Sequence, residues 1–572
     1  MHGFIVTISL KNESVHDLEY SWKPIFDFQN THIKRNFVKS KINAEQYTSE
    51  KFINEKLWID NDDFFIITEG LITNIDILCN SYKSADYEEL IRTISKEKAT
   101  FFEDFSGNFV GFFLDKKTNT YLAFNNHTGT KKLFHFKSDE YIIFSTDLYT
   151  LSKTLACLNI KISIDTEASY LLLTSGFMHE DYTLIKEVKQ IIAGQYANIS
   201  NNTLKLISYF DINEIDINFE SEDNVINNLE KLFKESVQIE FDFEKKYDYT
   251  PLTTLSGGLD SRMVALVAHD LNFHNQQLLN FSEKGYADEV IAAKIASTYK
   301  MNIEQISLSC KGLLAIDDVI AVNDGLTIYT GCSHVFEAIR KLTITGNIGI
   351  IHSGILGDGF MGSYLSSKSE CKPDISDGSY SSGLQKKAKK IIQESISKYK
   401  TEELYKFYNR AFQGINNGFL FFDLIGEAAS AFTYPPFVYY SFTIPRKIKY
   451  KKKIYIDWVR KKHPDYAGFV WESIGGKPTN NLLIRQFYRY KRAITKRLPI
   501  QSIWKNNMNP EQLWYDNNYE IKKYLDGYFR DNIHKFEFQK ELMEDMTTLY
   551  TKGSITEKAQ VLTLLGAYKL LF

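Results

Sequence analysis

Over roughly the first 210 residues the apolar positions alternate in the short period of strands. Phe4, Val6, Ile8 and Leu10 interleave with Gly3, Ile5, Thr7 and Ser9, the period-2 pattern of a half-buried strand. Asn108 to Leu114 and Thr120 to Phe124 flank the turn-like run Lys116-Lys117-Thr118-Asn119. Lys132 to Phe136 and Tyr141 to Ser145 flank Lys137-Ser138-Asp139-Glu140. Both predict antiparallel hairpins. With helical spacing at 86–97 and 166–175, this describes an α+β domain of packed antiparallel sheets over 1–211.

Residues 212–224, INEIDINFESEDN, are acidic and lack long apolar runs, and are expected to be a linker. From 225 to 572 the period changes. Strands at 251–255, 277–282, 303–309 and 347–352 alternate with helical stretches at 224–240, from Ser261, at 287–299, 313–322 and 333–342. Such alternation implies βαβ units and a parallel sheet. The remaining residues up to 572 read as mostly helical.

Composition narrows the classes of function. Lys+Arg is 68 and Asp+Glu is 71, a formal charge of −3, so no global positive field draws the chain to nucleic acid or an anionic membrane. A chain of 572 residues with 44% apolar positions can bury a core without disulfides or metals. Cys79, Cys157, Cys310, Cys332 and Cys371 form no CxxC pair, so neither a zinc ribbon nor a disulfide framework is indicated, and a reducing cytoplasm is expected. The start, MHGFIVTISLKNES, is not a signal peptide, and the nearest approach to an apolar span, Phe419 to Phe432, contains Asp423 and Glu427. The expectation is a cytoplasmic protein that does not enter a membrane.

The chemistry is concentrated in two segments. Thr254-Leu255-Ser256-Gly257-Gly258-Leu259-Asp260-Ser261-Arg262 carries an apolar strand into SGGLDS and then a helix. Its glycines let the backbone approach a ligand, and the loop and helix N–H groups point at an anion. Asp260 would repel phosphate unless a Mg²⁺ sat between them. No GK[ST] follows, so this is not a Walker A loop. About 100 residues on, Ile348 to Ile351 leads into Ser353-Gly354-Ile355-Leu356-Gly357-Asp358-Gly359-Phe360-Met361-Gly362-Ser363-Tyr364. Two carboxylates from adjacent strand ends, Asp260 and Asp358, would clamp a pyrophosphate-bound metal.

SGGLDS resembles the pyrophosphate-binding loop of the PP-loop ATP pyrophosphatases, and the second segment resembles SGEGSDELFGGY of the asparagine synthetases, matching at Ser353, Gly354, Asp358, Gly362 and Tyr364. The resemblance implies an α/β parallel-sheet ATP-binding domain with a helical C-terminal part. It also implies ATP and Mg²⁺ as cofactors, with nucleotide binding at Leu255, Ser256, Gly257, Gly258, Leu259, Asp260, Ser261, Phe281, Ser282, Ser353 and Gly354, and metal binding at Asp260 and Asp358. Ile444-Pro445-Arg446-Lys447-Ile448-Lys449 resembles the family's lPxxlK stretch. It implies a lysine for acyl transfer at Lys453, with Lys452 and Lys449 as neighbours that could take the role. Asn280-Phe281-Ser282 stands at the adenine-edge strand, and Asp288 is expected to cap the helix that follows.

The first domain resembles the class II glutamine amidotransferase domain, an Ntn-like sandwich. Asn125 to Phe134 stands in the place of RDRxGxKPLYY, Phe144 to Leu148 in that of FASExkAL, Gly107-Asn108-Phe109 in that of GMFAF, and Tyr209-Phe210 in that of the closing YW. The glutamine site departs from the family. His2 occupies the place of the nucleophilic cysteine, and a bulky second residue is expected to block removal of Met1. The NGE motif reads Glu69-Gly70-Leu71, and no RGPD-like segment follows in the first 60 residues. Glutaminase activity is therefore expected to be absent.

The synthetase half departs too. Ile355 and Gly359 replace the two glutamates, so aspartate is not the expected substrate. Asparagine synthetases, β-lactam synthetases and lasso-peptide cyclases together define the expected reaction. This is ATP- and Mg²⁺-dependent amide formation through an acyl-adenylate, releasing AMP and pyrophosphate. The acceptor is a small-molecule or peptide carboxylate, and the donor is ammonia or a substrate amine. A homodimer is one assembly this leaves open. The alternative is a catalytically degenerate nucleotide-binding regulatory or scaffold protein. A tRNA-modifying PP-loop enzyme is disfavoured by the acidic balance and the missing Cys pair.

Overall fold

The computed structural model describes residues 2–11, 15, 18–23, 31–39, 41–218, 220–343, 347–497 and 507–572. The first half holds twelve strands among the described residues. They are β1 (Gly3–Ser9), β2 (His32–Lys39), β3 (Ile42–Ser49), β4 (Trp58–Asp60), β5 (Phe64–Ile72), β6 (Gly107–Asp115), β7 (Thr120–Asn125), β8 (Phe134–Lys137), β9 (Tyr141–Ser145), β10 (Val188–Gln190), β11 (Gln195–Ser200) and β12 (Thr203–Ser208). They form two six-stranded sheets, ordered β10-β8-β9-β1-β3-β2 and β12-β11-β7-β6-β5-β4, with antiparallel pairing throughout. The predicted hairpins are present as β6–β7 and β8–β9.

The sheets pack face to face. Phe4, Val6 and Ile8 of β1 meet Phe65 and Ile67 of β5 and Val110 and Phe112 of β6 in one apolar layer. The rings of Phe37 and Phe65 stack across it at 4.0 Å. The alternation in β1 predicts one wet face, yet all seven of its residues are buried. Its second face is covered by the helix Leu148–Cys157, where Ile5 packs with Leu148, Leu151 and Leu155. The Tyr20 hydroxyl donates to Thr7 Oγ1 at 3.0 Å on that face.

The second half is built on a five-stranded sheet of β13 (Thr250–Thr254), β14 (Gln277–Glu283), β15 (Ile303–Leu308), β16 (Ile348–His352) and β17 (Glu427–Ala429). The order is β15-β14-β13-β16-β17 and every pairing is parallel. Four of these strands lie where the apolar runs predict them. β17 falls inside the Phe419–Phe432 stretch and was not foreseen, because three residues give no readable period. Helices Asp260–Asp270, Ala287–Tyr299 and Thr330–Lys341 make the crossovers. The C-terminal part is helical, ending in Ile555–Leu571, which begins with a Ser554/Glu557 capping box and packs on the helices Ile316–Asn323 and Thr166–Ser175. No helix among the described residues is long and apolar enough to cross a membrane.

The acidic junction holds one short turn, Ile212–Glu214, and the helix Glu222–Glu244 starts inside the expected linker. Its composition does not separate the halves, which share a buried charge cluster. Lys56 Nζ lies 3.1 Å from Glu69 Oε1 and 2.6 Å from Glu427 Oε1. Lys131 Nζ lies 2.8 Å from Asp423 Oδ2 and 3.2 Å from Glu427 Oε2. Burial alone would raise the Glu427 carboxyl, but Lys131 and Lys56 overcome it and hold it at about 2. At Asp423 burial wins over Lys131 and pushes the carboxyl up to about 6.

Removing one member of such a cluster leaves an uncompensated buried charge. Lys131→Met is expected to lower unfolding stability by roughly 3–5 kcal/mol. Chemical denaturation checks this; a midpoint unchanged from wild type would show that the cluster does not hold the halves together.

Candidate functional site

The site lies where β13 and β16, neighbours in the sheet, both end. Ligands of open parallel sheets bind outside these carboxyl ends. β13 runs into the loop 255–259, and the helix Asp260–Asp270 starts with no side-chain cap on its N-terminus, so its first N–H groups have no acceptor within the helix. Inside the loop, the Ser256 N–H donates to Ser261 Oγ at 2.9 Å and the Gly258 N–H to Ser256 Oγ at 3.1 Å. Arg262 is fully buried and holds the outer side of the loop, donating to the carbonyls of Gly257 at 3.1 Å, Tyr466 at 3.0 Å and Val470 at 2.7 Å.

The two loops touch. A Cβ on Gly354 would lie 2.4 Å from Ser261 N and 2.6 Å from Asp260 C, closer than real Cβ contacts come. A Cβ on Gly357 would lie 2.9 Å from the Asp260 carboxyl carbon. Asp260 is enclosed by this contact. Burial, then repulsion from Asp358, push its carboxyl up to about 7, and the Asp358 backbone N–H and the Tyr455 hydroxyl partly offset that. The Tyr455 hydroxyl donates to Asp260 Oδ1 at 2.7 Å.

β16 is held from behind. His352 is fully buried, with Nδ1 3.1 Å from Glu240 Oε2 and Nε2 3.1 Å from Glu244 Oε2. Its ring stacks on Phe241 at 3.8 Å. Burial would lower its pKa, but the two carboxylates dominate and raise it to about 9.

A cavity of about 380 Å³ opens over the loops. Leu255, Ser256, Gly258, Asp260, Ser261, Phe281, Ser353 and Gly354 of the expected nucleotide set line it. Gly257 and Leu259 are buried in the turn, and Ser282 is buried with its hydroxyl on the Glu283 carbonyl at 3.4 Å. Asp358 flanks Asp260 at the edge. Phe281 faces His334 at 6.0 Å between ring centres, and burial lowers that imidazole to about 4.

Lys453 is not brought to the cavity. Its amine lies 2.5 Å from Glu222 Oε2 and 3.3 Å from Asp457 Oδ2, on a half-exposed face. The reason is the backbone before it, since Lys451 and Lys452 both take left-handed φ values of 57° and 60°, a strained pair for non-glycine residues. That turn sends Lys452 inward, its amine 2.7 Å from Asp358 Oδ2 and above the Trp471 ring at 5.5 Å. Lys449 is buried on Glu403 at 2.8 Å.

Asp288 is not the expected helix cap. The cap position is Tyr286, without a side-chain cap bond, and Asp288 Oδ1 accepts the Gly257 N–H at 2.8 Å. Sequence reading also missed Arg410, Phe177 and Tyr380, which line the same cavity. No local motif marks them; tertiary packing alone brings them there.

Comparison with known proteins bears on the first half. Residues 59–210 match the glutamine amidotransferase domain family. The match begins after β3, so β1 with His2 lies outside it. No curated protein sequence matches the chain. Among solved structures, one described as the allosteric regulatory enzyme of purine biosynthesis is 8% identical with a TM-score of 0.23, covering 53% of this chain and 74% of that one. Glutamine phosphoribosylpyrophosphate amidotransferase from B. subtilis, complexed with ADP and GMP, is 9% identical with a TM-score of 0.21, covering 65% and 79%. Residues 59–210 therefore match a glutamine amidotransferase-type domain, and a five-stranded parallel sheet follows.

Two outcomes follow from the geometry. Gly354→Ala is expected to lower unfolding stability by roughly 1–3 kcal/mol through overpacking, because its Cβ would stand 2.4 Å from Ser261 N; an unchanged chemical-denaturation midpoint would contradict the packing of the loops. His352 has a folded pKa above its unfolded value, so its stabilisation is complete below about 6.5 and lost as pH rises through about 9. Thermal melting is expected to fall across that window by up to about 3 kcal/mol of stability. His352→Gln should show a flatter profile, and an identical slope in the variant would refute the assignment.

Proposed function

We propose that the chain is an ATP-dependent ligase that forms an amide through an acyl-adenylate. One observation carries this reading. Two glycine loops on adjacent strand ends converge on Asp260 and Asp358, opposite an uncapped helix start that opens into a cavity.

Mg²⁺ fits the residues present. Asp260 is a half-buried carboxylate beside a second one, and Lys452 already sets a positive charge on Asp358. Among the described residues no group of three His, Cys, Asp or Glu is arranged to hold a metal ion. Asp260 and Asp358 would therefore hold the ion together with phosphate oxygens and water, as Mg²⁺ commonly is held. Bound there, it would neutralise charge on the departing pyrophosphate.

The chain's own groups account for the rest. The Ser256–Ser261 loop and the start of its helix would bind the β- and γ-phosphates through N–H and hydroxyl donors. An oxygen of the acceptor carboxylate attacks the α-phosphorus, the bond to the β-phosphate breaks, and pyrophosphate leaves. The nitrogen of ammonia or an amine then attacks the acyl carbon, AMP leaves, and the nitrogen gives up a proton. Lys452, paired with Asp358, would balance negative charge developing in these steps.

The amidotransferase-type domain would not supply ammonia from glutamine. His2, not cysteine, stands just before β1 and lines a small pocket with Glu69, Lys131, Thr146 and Asp423. Its imidazole is held neutral, first by burial and then by Lys56. That pocket offers no thiol nucleophile.

ATP–pyrophosphate exchange with a panel of carboxylates tests the reading. Exchange is expected to require Mg²⁺ and one class of carboxylate, and to fall at least 100-fold in Asp260→Asn and Asp358→Asn, about 2.7 kcal/mol. Amide formation should proceed with ammonium or an amine and not with glutamine. Exchange that survives both substitutions, or wild-type protein that does not bind ATP, would overturn the proposal.

A further inference from the structure

Beyond the loops, the cavity continues into a chamber of different character. Phe177, Ile355, Tyr380, Ile415 and Phe422 line it. Gly331, Gly414 and Gly418 contribute bare backbone to its wall, which leaves room for a ligand body. Among the described residues that line it, Arg410 is the one strong cation.

Arg410 stands apart from the other buried or half-buried cations nearby. Arg446 and Lys449 are each paired with a carboxylate, Glu402 at 3.0 Å and Glu403 at 2.8 Å. Arg262 spends its donors on the loop and chain carbonyls already described. Arg410 donates through one nitrogen to the Gly378 carbonyl at 2.8 Å, and its plane lies over the Tyr380 ring at 5.2 Å. It has no carboxylate partner among the described residues. A guanidinium has five N–H donors in a fixed fork, and most of this fork is left for a ligand. A partly buried positive charge without a counter-ion is unfavourable until an anion reaches it.

Phe177 comes from the amidotransferase-type half. It follows the helix Thr166–Ser175 and bridges to Thr327 in the second half. Its ring meets Tyr380 edge-on at 6.2 Å, and a Cβ on Gly414 would lie 3.2 Å from it. The first half thus supplies a wall of the chamber while its own small pocket lacks a thiol.

We propose that Arg410 anchors the acceptor's carboxylate, and that the acceptor is a carboxylic acid whose apolar body lies against Phe177, Ile355, Tyr380 and Phe422. The assignment deepens the ligase reading and rests on it for what happens to the anchored group. Arg410 is a substrate-binding residue, and Phe177 is a specificity residue lent by the other half. Ile355 suits this occupant: a glutamate there would put a second anion beside the one Arg410 binds.

Calorimetry without nucleotide tests it, using 3-phenylpropionate and the neutral 3-phenylpropionamide on the full chain. Wild type is expected to bind the acid about tenfold or more tighter than the amide. Arg410→Met should abolish that preference and keep the amide affinity, and Arg410→Lys should restore part of it. Phe177→Ala should weaken acid and amide by the same factor, with Phe177→Leu losing less. Thermal melts confirm that each variant is folded. No acid binding by wild type at millimolar concentration, or an acid preference that survives Arg410→Met, overturns the proposal. Mg-ATP binding is measured on the same samples. A wild type that discriminates acid from amide but does not bind ATP removes the ligase reading while Arg410's role stands. A wild type that binds ATP but not the acid does the reverse.

Discussion

The second half of the molecule depends on one close approach, that of Gly354 to the first turn of the helix beginning at Asp260. Adjacent parallel strands lie about 4.8 Å apart, so loops leaving β13 and β16 at the same end must share space. They share it because residue 354 has no side chain, with the atoms of Asp260 and Ser261 within 3 Å of where a Cβ would stand. The same contact encloses Asp260, brings Asp358 beside it and raises its carboxyl. A pair of carboxylates so placed is unfavourable without a cation. Lys452 partly meets that need, on a backbone twisted twice into the left-handed region to deliver it. Strain of this kind persists only where the surroundings over-determine it.

The two halves are linked by chemistry that neither needs alone. The Lys56–Glu69–Glu427–Lys131–Asp423 cluster crosses from the amidotransferase-type sandwich to β17 and the residues before it. β17 is the edge partner of β16, so the cluster braces the strand that presents Ser353 and Gly354. From the other side, His352 ties β16 to the helix Glu222–Glu244. The sandwich therefore acts as a buttress for the loops as well as a wall of the chamber at Phe177. This gives a physical reason to keep a domain whose small pocket is lined by a histidine and no thiol.

Much of the fold and the centre of the site could be read directly from the residues. The parallel strands announce themselves as short apolar runs before glycine loops, and SGGLDS needs only its own six positions to describe a glycine turn between a strand and a helix. Other features are invisible because they depend on what lies across the fold. β1 reads as half-exposed, and a covering helix from residues 148–157 buries its second face. Asp288 reads as a helix cap, but its carboxylate is claimed by the Gly257 N–H. Three lysines in a row, 451–453, are indistinguishable in sequence. Only the left-handed turn decides that Lys452 faces Asp358 and Lys453 faces Glu222. Arg410, Phe177 and Tyr380 belong to three distant segments and no pattern unites them.

The proposed ligase requires ATP to be cleaved between its α- and β-phosphates in the cavity above Asp260. Phosphorus NMR of the full chain turning over ATP with Mg²⁺, a carboxylic acid and ammonium reads the cleaved bond directly. AMP and pyrophosphate, formed in step with the amide and absent in Asp260→Asn, are the predicted products. ADP and inorganic phosphate, or AMP and pyrophosphate released equally by Asp260→Asn, would contradict the account.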